Sequence, residues 1–408
     1  MTEEKTKRAK GRLKLSNLKL NTLLEITNSI NHNKSKQELF AILTHALKVE
    51  LLIGKFALYT FDKKWQLSLV EGVKEKAAKQ VDLEQIAQDY PSIEVLNSES
   101  NKSLAVFDIV IPVFHKKKPL AYLLLADLDG EKIEISPIIK HLKFIQTLAN
   151  IIVVALENKR LNKEFIKQVE VKKELELAQK MQSLLFPRQL PMEEKLCIKS
   201  IYKPHNEVGG DYYDVIKIDQ NRTALCIADV SGKGFSAALL MANFQANLRA
   251  LINVKSSLEQ LVLACNQKII ESAKYEKFIT LFIAVYNAET KTLNYLNAGH
   301  HPAILIRENE NVELKKGCTV LGMFDKLPSI ETASIKVKAE DKLVCFTDGL
   351  TELEQKGRQI GIAGIQHLFQ HAQSIEAIVS QIEALAMSLK KQSEVEDDIT
   401  LLGAEFLA

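Results

Sequence analysis

GGDYYDVIKID at 209–219, answered across a polar Gln220-Asn221 turn by RTALCIADV at 222–230, decides how this 408-residue chain is read. Both segments are apolar-rich and read as strands. Paired as a hairpin about that turn, opposite residues have numbers summing to about 441, which sets Asp211 against Val230 and beside Asp229. The first strand thus starts, and the second ends, on an aspartate. The pattern recurs downstream: KLVCFTDG at 342–349 closes on Asp348, and DDITLLGAEF at 397–406 opens with Asp397 and Asp398. If these two strands are antiparallel neighbours in the same or a facing sheet, the carboxylates gather at one edge.

Such a cluster is electrostatically costly. Two carboxylates ~4 Å apart repel by about 4 kcal/mol at an effective dielectric of ~20, so three or four together need compensating positive charge. Oxygen donors without a matching His or Cys group favour a hard cation, Mg²⁺ or Mn²⁺, over Zn²⁺ or copper. Gly209, Gly210, Gly232, Gly234 and Gly349 lie beside the acids and allow tight turns and close approach of backbone or substrate oxygen. One aspartate at a strand end is an ordinary turn residue. The repetition at several strand ends is what points to chemistry.

Outward from this region, glycine and proline draw the domain map. Twelve of the sixteen glycines fall from Gly209 onward, whereas no glycine lies between Gly130 and Gly209 and no proline between Pro137 and Pro187. The spacing predicts a single long helix over 137–186, ended by Phe186-Pro187. Leu175, Ala178, Gln182 and Leu185 follow a 3-4-3 spacing, but Lys172 spoils a sustained heptad, leaving open a solvated connecting helix or a dimeric coiled-coil linker. Residues 15–50 carry helical spacing with a break at Asn33 to Ser35. KFALYTF, QLSLVEG, LAVFDIVIPVF and PLAYLLLADLD then read as strands of an antiparallel sheet in a compact α+β domain.

Composition narrows the function classes. Lys+Arg 54 against Asp+Glu 51 leaves a net +3, too near neutral to imply nucleic acid or an anionic membrane as the main partner. The local basic excess from Lys5 to Lys14 reads as a solvated, flexible tail over 1–17. Five widely spaced cysteines without a CxxC predict a reduced, cytoplasmic protein. No apolar run approaches the ~18 residues of a membrane span, the nearest being IIVVAL at 151–156, so no membrane insertion is expected.

The layout of the first part resembles a GAF-type sensor domain, assigned to 18–136. The NKxFDE signature of its cyclic-nucleotide-binding branch is missing, so the sensor ligand or partner is unknown. GGDYYD at 209–214, ADVSGKGFSAALLM at 228–241, LNAGHHPAIL at 296–305, FTDGLTE at 346–352 and DDIT at 397–400, in that order, resemble the SpoIIE/RsbU-type metal-dependent serine/threonine protein phosphatases, a bacterial branch of the type 2C fold. ELAQKMQSLLFPRQLP, just before, is similar to that family's lead-in. The resemblance implies an α/β/β/α sandwich of two antiparallel sheets flanked by helices over 187–408, and so an α+β chain overall. It further implies a centre of two Mn²⁺ or Mg²⁺ ions held by Asp211, Asp229, Asp348, Asp397 and the Val230 carbonyl, with Asp398 behind them and the role of Asp214 open. The implied substrate is a phosphoserine or phosphothreonine on an anti-anti-sigma-type protein, with a homodimer through the linker. The eukaryotic enzymes carry a His two residues after the corresponding aspartate, where this chain has Ser231; His300 and His301 read as structural.

Three other readings are weighed. GKGFSA at 232–237 formally fits a dinucleotide fingerprint, but Asp229 would repel a pyrophosphate and the flanks read as hairpins. GGDYY is similar to a diguanylate cyclase loop, yet the charged helix around Gln168 stands where a second metal-binding Asp is required. A non-catalytic scaffold with a phosphatase fold is the remaining alternative, against which the full set of mutually repulsive acids argues.

Overall fold

The computed structural model describes all residues except 1, 97–103, 117, 127–136, 189, 191–194, 309, 356–357, 370–373, 390–396 and 408. It divides into two compact units, Met1–Val169 and Glu170–Ala408.

The first unit opens with α1 (Thr2–Asn31) and α2 (Lys36–His45), followed by β1 (Lys55–Asp62), β2 (Lys64–Glu71), α3 (Glu75–Ala78) and α4 (Leu83–Asp89). Then come β3 (Glu94–Val95), β4 (Ile109–His115), β5 (Lys118–Ala126) and the start of α5 (Pro137–Ser183). The expected basic tail is the first half of α1, a stretch that no proline interrupts. The predicted break falls at Ser35, which caps α2 in a reciprocal box with Glu38. The five strands form one antiparallel sheet in the order β2-β1-β5-β4-β3. Phe56 and Leu58 pack with Leu39, Leu43, Ile145 and Leu148, while Ala57 and Tyr59 pack with Val81, Ile86 and Phe107, the period-2 alternation of a sheet covered on both faces. The end of the domain assigned to 18–136 lies outside the described residues.

Helix α5 bears out the long unbroken reading, ending three residues earlier than expected. It also contains an 18-residue window of mean hydropathy 1.5, 44% buried within the chain's own packing. Ile138, Phe144, Ile145, Leu148, Ala149, Ile152 and Val153 form its buried face, so core packing accounts for this hydrophobicity. The last turns of α5 belong to the second unit, where Gln182 is buried and Phe186, just beyond the helix, packs on Tyr202 and Tyr213.

The second unit runs β6 (Leu196–Lys203), β7 (Tyr212–Lys217), β8 (Arg222–Val230), α6 (Phe235–Ile252), α7 (Leu258–Ala273), β9 (Ile279–Asn287) and β10 (Thr292–Ala298). It continues with β11 (Ala303–Ile306), β12 (Asn311–Leu314), β13 (Gly317–Cys318), β14 (Ala333–Lys336), β15 (Lys342–Phe346) and α8 (Asp348–Thr351). The short hairpin β16 (Glu354–Gln355) and β17 (Arg358–Gln359), then α9 (Gly361–Phe369), α10 (Ile375–Leu389) and β18 (Ile399–Phe406) complete it. One sheet has the order β13-β10-β9-β8-β7 with β14 beside β10; the other has β12-β11-β15-β18-β6. Leu343, Cys345, Leu402, Ala404 and Phe406 enter the core shared with the first sheet, whereas Val344, Phe346, Ile399 and Leu401 join Ile375, Ile378 and Ile382 outside. That alternation gives the expected helix/sheet/sheet/helix sandwich, with α6 and α7 outside one sheet and α9 and α10 outside the other. The five cysteines form no disulfide.

The strand register departs from expectation by one residue. Tyr212 pairs with Ala228 and Tyr213 with Ile227, so the numbers sum to 440 and Asp211 extrapolates to Asp229 instead of Val230. Asp219 shapes the turn, its carboxylate accepting the Asn221 and Arg222 amides, and β7 ends at Lys217. The slip matters because each one-residue shift exchanges the faces of a strand.

Candidate active site

The corrected register puts Asp211 and Asp229 on one face of the first sheet, the face turned toward the second. There the side-chain parity of β15 and β18 presents Thr347 and Thr400. Both hydroxyls donate to Asp211 Oδ2, Thr347 at 2.8 Å. The two threonines also bond each other through their strands: the Thr347 amide donates to the Thr400 carbonyl, and the Thr400 amide to Thr347 Oγ1. Asp211 is thus held between the sheets.

As expected, β15 and β18 are antiparallel neighbours, with Phe346 opposite Leu401. Their ends deliver Asp348, at the start of α8, alongside Asp397 and Asp398. Gly349 is required there, since a Cβ would stand 2.1 Å from the Asp398 carbonyl oxygen. Asp398 turns inward and spends its carboxylate on backbone: Oδ1 accepts the His205 amide at 2.8 Å, and Oδ2 accepts Gly210 at 2.7 Å and Asp211 at 3.4 Å. It fixes the loop carrying Asp211. Gln182 adds a second brace, exchanging two hydrogen bonds with the Gly209 peptide.

Electrostatics register the crowding. Burial, then the charges of Asp229 and Asp398, raise the proton affinity of Asp211 far above the usual carboxylate range, opposed by the two threonine hydroxyls. Burial, then Asp348, Asp397 and Asp398, raise that of Asp229. Against this crowding, Lys233 Nζ pairs with Asp397 Oδ2 at 2.9 Å.

This donor set fits hard divalent cations. The acids are oxygen donors that outnumber the ammonium group paired with them, and a Cβ on Gly210 would come within 3.0 Å of the Val230 carbonyl oxygen, so the glycine leaves that carbonyl approachable. Among the described residues no three His, Cys, Asp or Glu side chains form a ready-made ligand group. Each ion would therefore draw one or two carboxylates, with carbonyl and water oxygen filling its shell.

Other singled-out residues lie elsewhere. Asp214 faces away from Asp211 and is fully buried, receiving Arg249 Nε and Nη2 at 2.7 Å each and the Val215 amide at 2.8 Å, with a short bond from the Tyr212 hydroxyl. Ser231 Oγ accepts the Phe278 amide. His300 is buried, its Nδ1 2.8 Å from Thr280 Oγ1 and its amide bonded to Asn297 Oδ1, and burial pushes its imidazole down to about 3. His301 stacks on Phe346. Thr347, Thr400, Gln182 and Lys233 were not anticipated; strand parity from the motif aspartates was the signal for the two threonines.

Residues 219–407 match the family model described as Stage II sporulation protein E (SpoIIE), a match that begins after Asp211. Phosphoserine phosphatase RsbU of Bacillus subtilis (strain 168) is 29% identical over 239 residues, covering 58% of this chain and 70% of RsbU. Phosphoserine phosphatase RsbP of the same organism is 25% identical over 190 residues, 45% of this chain and 47% of RsbP. Among solved structures, the SiaA-PP2C domain of Pseudomonas aeruginosa superposes with a TM-score of 0.52 at 21% identity, covering 59% of this chain and 98% of that one, a likeness of fold.

Proposed function

We propose, from the premise that residues 219–407 belong to a SpoIIE-family phosphatase domain of the PP2C fold, that this chain is a metal-dependent phosphatase of phosphoserine and phosphothreonine in proteins. The observation that carries the reading is the convergence of Asp211, Asp229, Asp348 and Asp397 from two facing sheets at one edge, with more negative charge than the protein's own cations offset. Those four, with the Val230 carbonyl, would hold two Mn²⁺ or Mg²⁺ ions. When bound, such ions supply a water of lowered pKa and Lewis-acid contact to phosphate.

The chain's own groups supply the geometry. Thr347 and Thr400 fix the Asp211 carboxylate, and Asp398 and Gln182 fix the backbone that bears it. Ser231 and His300 are engaged structurally, so neither is assigned as the leaving-group acid.

The substrate we favour is a serine-phosphorylated anti-anti-sigma (STAS-type) protein in a partner-switching pathway; the name of the relative RsbU, a phosphoserine phosphatase, supports the phosphoserine part of this reading. The N-terminal unit would act as a GAF-like sensor, with α5 carrying its state, since that helix begins in the first unit's core and ends at Gln182 on the Gly209 peptide. Leu161, Phe165, Ile166 and Val169 are exposed on α5, which supports a homodimer through this helix. The test is hydrolysis of p-nitrophenyl phosphate and a phosphoserine peptide by the full chain with Mn²⁺ or EDTA. Metal-dependent turnover lost in Asp348→Asn is expected; no turnover with either metal would favour the scaffold reading.

A further inference from the structure

The edge described above is all carboxylate and carbonyl, and a phosphate monoester brings a charge of about −2. Two divalent ions offset the four aspartates and leave that dianion unmatched. The chemistry calls for one more cation at this edge. Arg222, Arg249 and Arg307 do not supply it: they bond Asp219 in the β7–β8 turn, Asp214 on the outer face of β7, and Asp341 at the far end of β15. The Lys277 ammonium donates to the Ser231 carbonyl at 2.8 Å. Lys233 is placed differently, bonded to the candidate ligand Asp397 itself.

We propose, resting on the phosphatase reading above, that Lys233 receives and orients the substrate phosphate, exchanging its bond to Asp397 for a non-bridging phosphate oxygen when that carboxylate serves as a metal ligand. The backbone beneath it is held in place. Ser231 exchanges bonds with Phe278 through its amide and its hydroxyl, and Lys277 pins its carbonyl. Gly232 and Gly234 flank Lys233 at φ +85° and +75°, and a Cβ on Gly232 would stand 2.7 Å from Lys277 Nζ. The loop is therefore held against β9, on the edge that carries Asp229. The Lys233 side chain is 48% exposed, and an ion pair this open to solvent is weak enough to exchange. A long stem ending in a compact charge with three rotatable donors suits that movement. Lys233 takes part in no covalent step; it donates hydrogen bonds only.

The experiment compares wild type, Lys233→Met and Lys233→Arg as full-length chains. Inorganic phosphate binding to the Mn²⁺-loaded chain and Mn²⁺ binding are read by titration calorimetry, and KM and kcat with p-nitrophenyl phosphate. Loss of one charge-assisted contact predicts phosphate affinity about tenfold weaker in Lys233→Met and within about threefold of wild type in Lys233→Arg. KM should rise in parallel, by more than kcat falls, and Mn²⁺ affinity should be equal or tighter because Asp397 is released. Phosphate affinity unchanged in Lys233→Met would overturn the proposal, as would weaker Mn²⁺ binding, which would make Lys233 a mere support for Asp397. A chain that turns nothing over but binds phosphate through Lys233 would sink the phosphatase reading and leave this inference standing; turnover with phosphate binding indifferent to Lys233 would do the reverse.

Discussion

Arg249→Met tests whether Asp214 belongs to the structure or to the metal site. Asp214 is fully buried and receives four donors, two of them from the Arg249 guanidinium in a two-pronged contact. Methionine keeps most of the stem and removes both charged bonds. Breaking a buried ion pair costs about 3–5 kcal/mol because the surviving charge is stranded. The Arg249 side chain is 44% exposed, so solvent screens part of that loss and about 2–3 kcal/mol is the reasoned value. At roughly 2–4 °C per kcal/mol for a domain of this size, the melting temperature should fall by about 4–12 °C. Far-UV circular dichroism in EDTA reads the melt, and Mn²⁺ titration reads the metal site. Asp214→Asn combined with Arg249→Met should recover part of the loss, since no charge is then stranded. Mn²⁺ affinity should stay at the wild-type value throughout. A melting temperature unmoved in Arg249→Met, together with Mn²⁺ binding lost in Asp214→Asn, would refute the reasoning and return Asp214 to the list of ligands.

Asp348→Asn should abolish Mn²⁺-dependent turnover while raising metal-free stability by about 1 kcal/mol, because it removes one charge from a repelling cluster; unchanged turnover at saturating Mn²⁺ would contradict the site. His300 should give an acid-labile fold. With an unfolded value near 6.5 and the buried imidazole pushed down to about 3, the unfolded chain binds the extra proton between those limits. Stability is therefore full above the unfolded value and is lost as pH falls toward the folded one, by about 2 kcal/mol at pH 5. Urea midpoints at pH 7 and 5 should show a smaller drop in His300→Asn than in wild type, and an equal drop would count against this account. Gly349→Ala forces the turn bearing Asp348 off the Asp398 carbonyl, at a cost of about 1–3 kcal/mol, so activity and melting temperature should fall together. Gln182→Ala strands the Gly209 amide and carbonyl, costing about 1–3 kcal/mol; if α5 governs the site, kcat with p-nitrophenyl phosphate should also drop, and an unchanged kcat would argue against that coupling.

What the sequence makes legible here is local, and what it leaves out is long-range. Strand-end aspartates, the breaker-free run of α5 and the Ser35 cap are written within a few residues of themselves, and the structure has them. The register of β7 on β8 is off by one because Asp219 leaves the first strand for the turn, where its carboxylate accepts the Asn221 and Arg222 amides, and turn composition alone does not fix loop length. That single residue decides whether Asp229 faces the second sheet with Asp211 or lies behind it. Asp214 shows the converse: three positions from Asp211 on one strand, it must point to the opposite face, so its separation from the site was available from parity before any contact was known. Thr347 and Thr400 reach Asp211 across 136 and 189 residues of chain, and only the closing of two sheets brings them together. Asp398 carries the same lesson from the other side. Its neighbour Asp397 accepts the Asp398 amide and the Lys233 ammonium, while Asp398 is consumed by the amides of His205, Gly210 and Asp211. Two adjacent identical side chains thus acquire different chemistry from the alternation of one strand and from the positions where its partners end.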